Sequence, residues 1–157
     1  MSNRVLIVAH PDDEVIWFDP YIYDRIIIVY TYREDRPDIV KGRLKMQEKH
    51  PLKNKIEYLD FFETNFWRDP KKEGEYKKQF RELTNWIRLN VNIKDTITTH
   101  DSNGEYGHSD HILVNKAVVS AHLGDIKFSN RDKAGHKKLR ESIKQLYKKY
   151  GCWTWES

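Results

Sequence analysis

The chain is poor in cysteine. Its 157 residues hold one, Cys152. An internal disulfide is therefore excluded, and a reducing compartment, most simply the cytoplasm, is the expectation. A lone cysteine reads as a small buried hydrophobe before it reads as a nucleophile. Long apolar runs are lacking as well. "MSNRVLIVAHPDDE" turns acidic after a short apolar stretch, too soon for the apolar region of a signal peptide. No run approaches the ~20 residues of a membrane-spanning helix. With seven glycines and five prolines, no low-complexity segment, linker or internal repeat is visible, and residues 1–157 are expected to form one domain. Charge of one sign does not dominate either. Lys and Arg number 28 against 24 Asp and Glu, a formal net charge of +4. The lysine doublets (Lys71-Lys72, Lys77-Lys78, Lys137-Lys138, Lys148-Lys149) stand near acids and read as solvated helix faces. No nucleic-acid-binding module is recognisable, and no such partner is expected.

What is present is an alternation of patterns. "RVLIVAH" (Arg4–His10), "RIIIVYTY" (Arg25–Tyr32), "IEYLDFFE" (Ile56–Glu63), "DTITTH" (Asp95–His100) and "DIKFS" (Asp125–Ser129) read as strands. The first two are continuous apolar runs, as in strands covered on both faces. Between them, residues 38–49, 74–90, His111–Leu123 and 132–150 read as amphipathic helices, with Gly124 and Gly151 as stops. Strand alternating with helix predicts a mostly parallel sheet in a Rossmann-like three-layer α/β/α sandwich. Loops that follow strands then lie at the sheet's carboxyl edge, where open α/β folds bind ligands.

Two clusters fall at that edge. "VAHPDDEV" ends the first strand on His10 and follows Pro11 with Asp12, Asp13 and Glu14. A proline-started, acid-capped helix explains the acids, but it has no use for His10. "NGEYGHSDHILVN" follows the fourth strand, with Gly104 and Gly107 as a flexible approach and His108 and His111 three apart at a helix start. A histidine pair at that spacing is weak evidence alone. If the first and fourth strands are neighbours, however, the clusters face each other. Two imidazoles and a carboxylate then converge with an open position, the pattern of a catalytic zinc site. A cation also answers the repulsion among the crowded acids.

"AHPDDE" followed by "GEYGHSDH" resembles the zinc-dependent de-N-acetylases of the PIG-L/LmbE-like superfamily. The resemblance covers Val5 to about Val119. It implies a hydrolase that removes the N-acetyl group of an amino sugar, with zinc (or Fe²⁺ in its place) held by His10, Asp13 and His111. It further implies Asp12 as general base and His108, protonated, as the group that stabilises the oxyanion or protonates the leaving amine. Asp110 would orient His108, and Tyr106 would stand at the mouth of the site. The implied partner is a small N-acetyl amino sugar, a nucleotide sugar or a glycolipid.

Other residues have weaker expectations. Arg33, Arg36 and Arg43 could meet phosphate or sugar hydroxyls, and Arg43 is favoured because similar proteins place an arginine near that helix start. His100 and Asp101 end the fourth strand, where they could support a metal ligand or touch substrate. Where many relatives have a glycine-rich stretch, this chain has "VIWFDP", so Trp17 and Phe18 are either core or a reshaped pocket wall. Glu14 either caps its helix or supports a ligand. His50, His122 and His136 sit in helices or near their ends without acidic companions and read as structural or exposed. Trp153 and Trp155 suggest a short edge strand, a docked tail or a contact between copies in a homo-oligomer. Two alternatives stand beside the deacetylase: a metal hydrolase of another amide or ester bond, and a non-catalytic sugar-binding module.

Overall fold

A computed structural model describes residues 2–155. Five strands form one sheet: β1 (Arg4–Val8), β2 (Arg25–Tyr32), β3 (Ile56–Phe62), β4 (Thr96–Thr99) and β5 (Ile126–Phe128). Every pairing is parallel, in the order β3-β2-β1-β4-β5. The six helices are α1 (Asp13–Ile16), α2 (Pro37–Lys49), α3 (Glu73–Asn90), α4 (Gly104–Gly107), α5 (Ser109–Ala121) and α6 (Lys137–Lys149). None is long and apolar enough to cross a membrane.

The apolar runs are continuous because both faces of the central strands are covered. Side chains alternate along a strand, so Val5 and Ile7 pack with Ile27, Leu83, Ile87, Val114 and Val118 beneath α3 and α5. Leu6 and Val8 point the other way, into a cluster with Ile16, Trp17, Phe18, Ile26 and Ile28. A third cluster joins Val15, Ile39, Met46, Ile143 and Tyr147, seating α2 and α6 on that second face. The result is a three-layer α/β/α sandwich of Rossmann-like form. Each fully buried aliphatic side chain contributes roughly 1.5–3 kcal/mol, and the two faces share the load.

The order of strands decides where chemistry can occur. β1 lies between β2 and β4, with Val5 opposite Arg25 on one side and Ile97 on the other. The chain winds outward from β1 to β3, then returns to start β4. β1 and β4 are thus the neighbours at which the winding reverses, and the loops leaving their carboxyl ends face each other across the switch point.

Some boundaries differ from expectation. The last helix begins at Lys137, not near 132. Residues Arg131–Lys133 form a 3-10 turn, and His136 takes a left-handed backbone with φ of 54°. Arg140 then reaches back to the carbonyls of Ala134 and Gly135, holding the bend. The fifth helix starts at Ser109 and ends at Ala121, two residues earlier at each end than the apolar pattern suggested. Its first turn is capped from outside the pattern, by the His108 ring. Residues 152–154 form no strand. Trp153 and Trp155 instead pack on the second face of the sheet as a docked segment, and Glu156 and Ser157 lie outside the described residues.

Candidate functional site

Pro11 starts no helix. Asp12 precedes α1 with a left-handed backbone, φ 91° and ψ −26°, a conformation that costs a non-glycine residue roughly 1–3 kcal/mol. The strain turns the chain sharply at the end of β1, so that His10, Asp12 and Asp13 face one cavity. Glu14 stabilises the turn. Fully buried, it accepts the Asp12 N–H through Oε1 at 2.9 Å. Its other oxygen accepts from His50 Nε2 at 3.1 Å and from the Tyr147 hydroxyl at 2.7 Å. Glu14 is thus a brace for the loop, and His50 has an acidic companion that its sequence neighbourhood hid. His136 likewise donates to Asp19 at 2.6 Å, whereas His122 donates to the Asp95 carbonyl.

The second loop meets the first from β4. Gly104 and Gly107 both have positive φ, 61° and 95°, and Glu105 between them shares that handedness at 61°. The turn drives the Glu105 carboxylate inward. Its Oε1 accepts from His100 Nδ1 at 2.7 Å and His111 Nδ1 at 2.8 Å, and its Oε2 accepts from Ser129 and the Asp101 N–H. Burial alone would raise the Glu105 carboxyl, but these donors hold it well below the usual carboxylate range.

Asp13 Oδ2 is the meeting point. It lies 3.4 Å from His10 Nδ1 and 3.2 Å from His111 Nε2, and it accepts the His10 N–H at 2.8 Å. The far nitrogen of each imidazole is held by a carboxylate. His10 Nε2 donates to Asp110 at 2.8 Å, and His111 Nδ1 donates to Glu105. Both near nitrogens are therefore turned toward Asp13, as ligating imidazoles are oriented by carboxylates behind them. His111 Nε2 is buried and lacks a well-formed hydrogen bond, although Asp13 Oδ2 lies 3.2 Å away. A buried nitrogen in that state costs about 1–3 kcal/mol. One donor atom from each of His10, Asp13 and His111 lies within 4.8 Å of the others. Two imidazoles, one of them with its nitrogen orphaned, and a carboxylate fit a zinc-type cation.

The electrostatics agree with that geometry. Burial would lower His10 and His111, yet Glu63 and Asp110 push His10 well above the ordinary imidazole value, and Asp13 pushes His111 up to about 9. Burial would raise Asp13, yet the two imidazoles hold it well below the carboxylate range. Asp12 moves the opposite way. Burial and the adjacent Asp13 charge raise it well above a normal carboxyl.

Residues matching a known family pattern run from 5 to 122, and the pattern is that of PIG-L, described as GlcNAc-PI de-N-acetylase. The chain belongs to the PIG-L family. Membership implies hydrolysis of the de-N-acetylase type. A comparison with curated proteins finds no match.

The remaining residues sort by position around the PIG-L cavity, which has a volume of about 320 Å³. His10, Asp12, Asp13, Tyr106, His108 and Asp110 line it. His108 caps α5 by accepting the Asp110 N–H through Nδ1 at 3.0 Å. Burial, then the His10 and His111 rings, push it down to about 2. Its Nδ1 is the acceptor in that bond, so the proton of the neutral ring lies on Nε2, and burial favours this form over the cation. Asp110 fixes His108 through the main chain, while its carboxylate serves His10. Tyr106 is 46% exposed at the rim. Arg43 is 2% exposed; its guanidinium donates to Glu63 Oε2 at 2.6 Å and to the Thr31 carbonyl. Arg33 also lines the cavity, whereas Arg36 pairs with Asp38 outside it. Asp101 is not brought to the cavity. Its carboxylate closes the turn by accepting the N–H groups of Asn103 and Glu105. Trp17 and Phe18 are core residues.

Two site carboxylates escaped the sequence reading. Glu63, at the end of β3, lies 3.4 Å from His10 Nε2 and bonds Arg43. Burial would raise it, but His10 and Arg43 hold it well below the carboxylate range. Glu105 lay within the quoted motif, but with nothing in its spacing to separate it from the loop glycines. Trp67, in the loop after β3, was also unforeseen. It stacks on His108 at 4.8 Å with the rings 6° from parallel.

Proposed function

We propose that the chain is a zinc-dependent hydrolase that removes the N-acetyl group from an amino sugar, free or as a nucleotide sugar or glycolipid, and releases acetate. The observation that carries this reading is the pair of imidazoles aimed at Asp13 from carboxylates behind them, with His111 Nε2 left unbonded. His10, Asp13 and His111 are the residues that would hold the metal. Zinc, or Fe²⁺ in the same ligand set, supplies Lewis-acid polarisation of the acetyl carbonyl and activation of water.

The chain's own residues supply the rest. Asp12 is buried, lines the cavity and has a raised affinity for protons, as a base working near neutrality requires. It takes a proton from the attacking water while the water oxygen bonds to the acetyl carbon. His108 donates its Nε2–H to the oxygen on which charge develops. Stacking on Trp67 and the cap bond to Asp110 hold that ring in one orientation. When the C–N bond breaks, Asp12 returns its proton to the departing amine, and the products are acetate and the free amino sugar. Tyr106 at the rim is proposed to meet the sugar, and Arg43, buried behind Glu63, to act on it through that carboxylate. A single buried cysteine suits a reducing compartment, and the cytoplasm is the proposed location.

The test is a screen of N-acetylhexosamines, free, nucleotide-linked and lipid-linked, scored for acetate release by the zinc-loaded protein. Turnover of one class supports the reading and names the substrate. Turnover of a phosphoester or another amide, with no acetate released from any sugar, would replace it.

A further inference from the structure

We propose that Thr154 is a positioning residue for Asp12, delivered to the active site by a segment far outside the stretch that matches the family. The Thr154 N–H donates to Asp12 Oδ2 at 3.2 Å, and its hydroxyl donates to the same oxygen at 3.3 Å, across a separation of 142 residues. Oδ1 of Asp12 has no protein donor among the described residues, so the carboxylate is held by one oxygen with the other left to accept a proton.

Asp12 has need of such an anchor. Its left-handed backbone is strained, and strained residues persist only where their surroundings over-determine them. Glu14 fixes the Asp12 main chain from one side. Thr154 fixes its side chain from the other. The segment that carries Thr154 is itself seated. Cys152 is fully buried among Ile39, Met46, Ile143 and Tyr147, and its N–H donates to the Tyr147 carbonyl at 3.0 Å. α2 permits the close passage through Gly42, where an added Cβ would collide with the Tyr150 carbonyl oxygen and lie 2.9 Å from Cys152 Cβ. One residue on, Trp155 packs edge-on against Trp17 and tilted against Tyr106, both at 5.0 Å. Thr154 and Trp155 both line the cavity. The family match ends at residue 122, so the wall over the base is built from a part of the chain that the match does not reach.

The inference rests on Asp12 acting as the base, and the experiment separates the two. Hydrogen exchange by NMR on the full chain reads the contact without activity. The Thr154 amide is expected to exchange at least about tenfold faster in Asp12→Ala than in the wild type. Kinetics read its use. With the N-acetylhexosamine turned over fastest, Thr154→Val, which keeps the N–H but removes the hydroxyl, lowers kcat about tenfold with KM and zinc content unchanged. Thr154→Ser restores kcat. Equal exchange in wild type and Asp12→Ala, or a Thr154→Val enzyme with wild-type kcat, overturns the positioning role. A serine variant as slow as the valine variant also overturns it, because the hydroxyl is then not the working group. A wild type that turns over no acetylated sugar, with the Thr154 amide still protected by Asp12, fails the hydrolase reading alone.

Discussion

Asp12 and Asp13 are consecutive buried carboxylates whose surroundings drive them apart. Asp13 faces His10 and His111 and is held ionised; burial and the charge of Asp13 push Asp12 toward its protonated form, against the Thr154 N–H, which favours the anion. Two neighbouring acids with opposed preferences can divide the labour of ligand and base. The division follows from the backbone. The left-handed turn at Asp12 sends successive side chains to different sides of one cavity.

Removing the proposed base while keeping the proposed ligands isolates the role of Asp12. Asp12→Asn is expected to lower kcat by about 10²–10⁴-fold, with zinc still bound. Acetate release and metal content measured on one preparation check both halves. Near wild-type kcat with zinc retained would show that another group takes the proton.

Glu105 lies behind the proposed metal ligands and holds His111 through Nδ1. Glu105→Gln replaces a carboxylate with an amide and loses the charge that favours a ligating Nε2. Zinc affinity is expected to fall about 10–100-fold, read by competition with a chelator of known affinity. Unchanged affinity would mean that packing against His100, at 4.0 Å between ring centres, orients His111 without help.

Metal binding should depend on pH in a stated direction. In the metal-free site His111 keeps an added proton up to about pH 9, and His10 is raised as well. A metal ion needs the neutral nitrogen, so proton and metal compete. Affinity is lost as pH falls below about 9, where His111 takes up its proton, by about tenfold per unit for each proton displaced. Zinc titrations at several pH values, with proton release followed in weakly buffered solution, measure it. Affinity that is flat between pH 6 and 9 would contradict the ion pairing of His111 with Asp13.

Gly42 carries a stability prediction far from the metal. Gly42→Ala favours the helix locally but forces α2 away from the Tyr150 carbonyl. Overpacking of this kind costs about 1–3 kcal/mol, visible as a lower midpoint in denaturant. Because the displaced contact seats Cys152, kcat should fall with it. A stabilised variant would mean that the 150–152 segment yields freely.

The strands and the convergence of His10, Asp13 and His111 were legible in the sequence for physical reasons. A strand covered on both faces has to be apolar throughout, so Val5–Ala9 and Ile26–Tyr30 stand out. A parallel sheet sends every strand's carboxyl end to one edge, so His10 and His111 could be paired before their distance was known. Glu63 and Glu105 were not legible, because an acid at a strand end or between loop glycines has the same local signal whether it faces solvent or an imidazole. The start of α6 was misplaced because residues 131–136 carry no large apolar side chain, so the apolar pattern, which begins at Leu139, does not mark where the helix starts. His50 looked solitary because Glu14, its partner, lies 36 residues away. The Thr154 contact depends on α6 packing against α2, a tertiary event with no periodic trace.

The most direct measurement is a zinc titration of the metal-free protein in which acetate release is followed at each addition. One equivalent is expected to bind, with activity rising in proportion to it and reaching a plateau at one zinc per chain. Deacetylation by the metal-free protein, or a folded protein that binds no zinc, would contradict it.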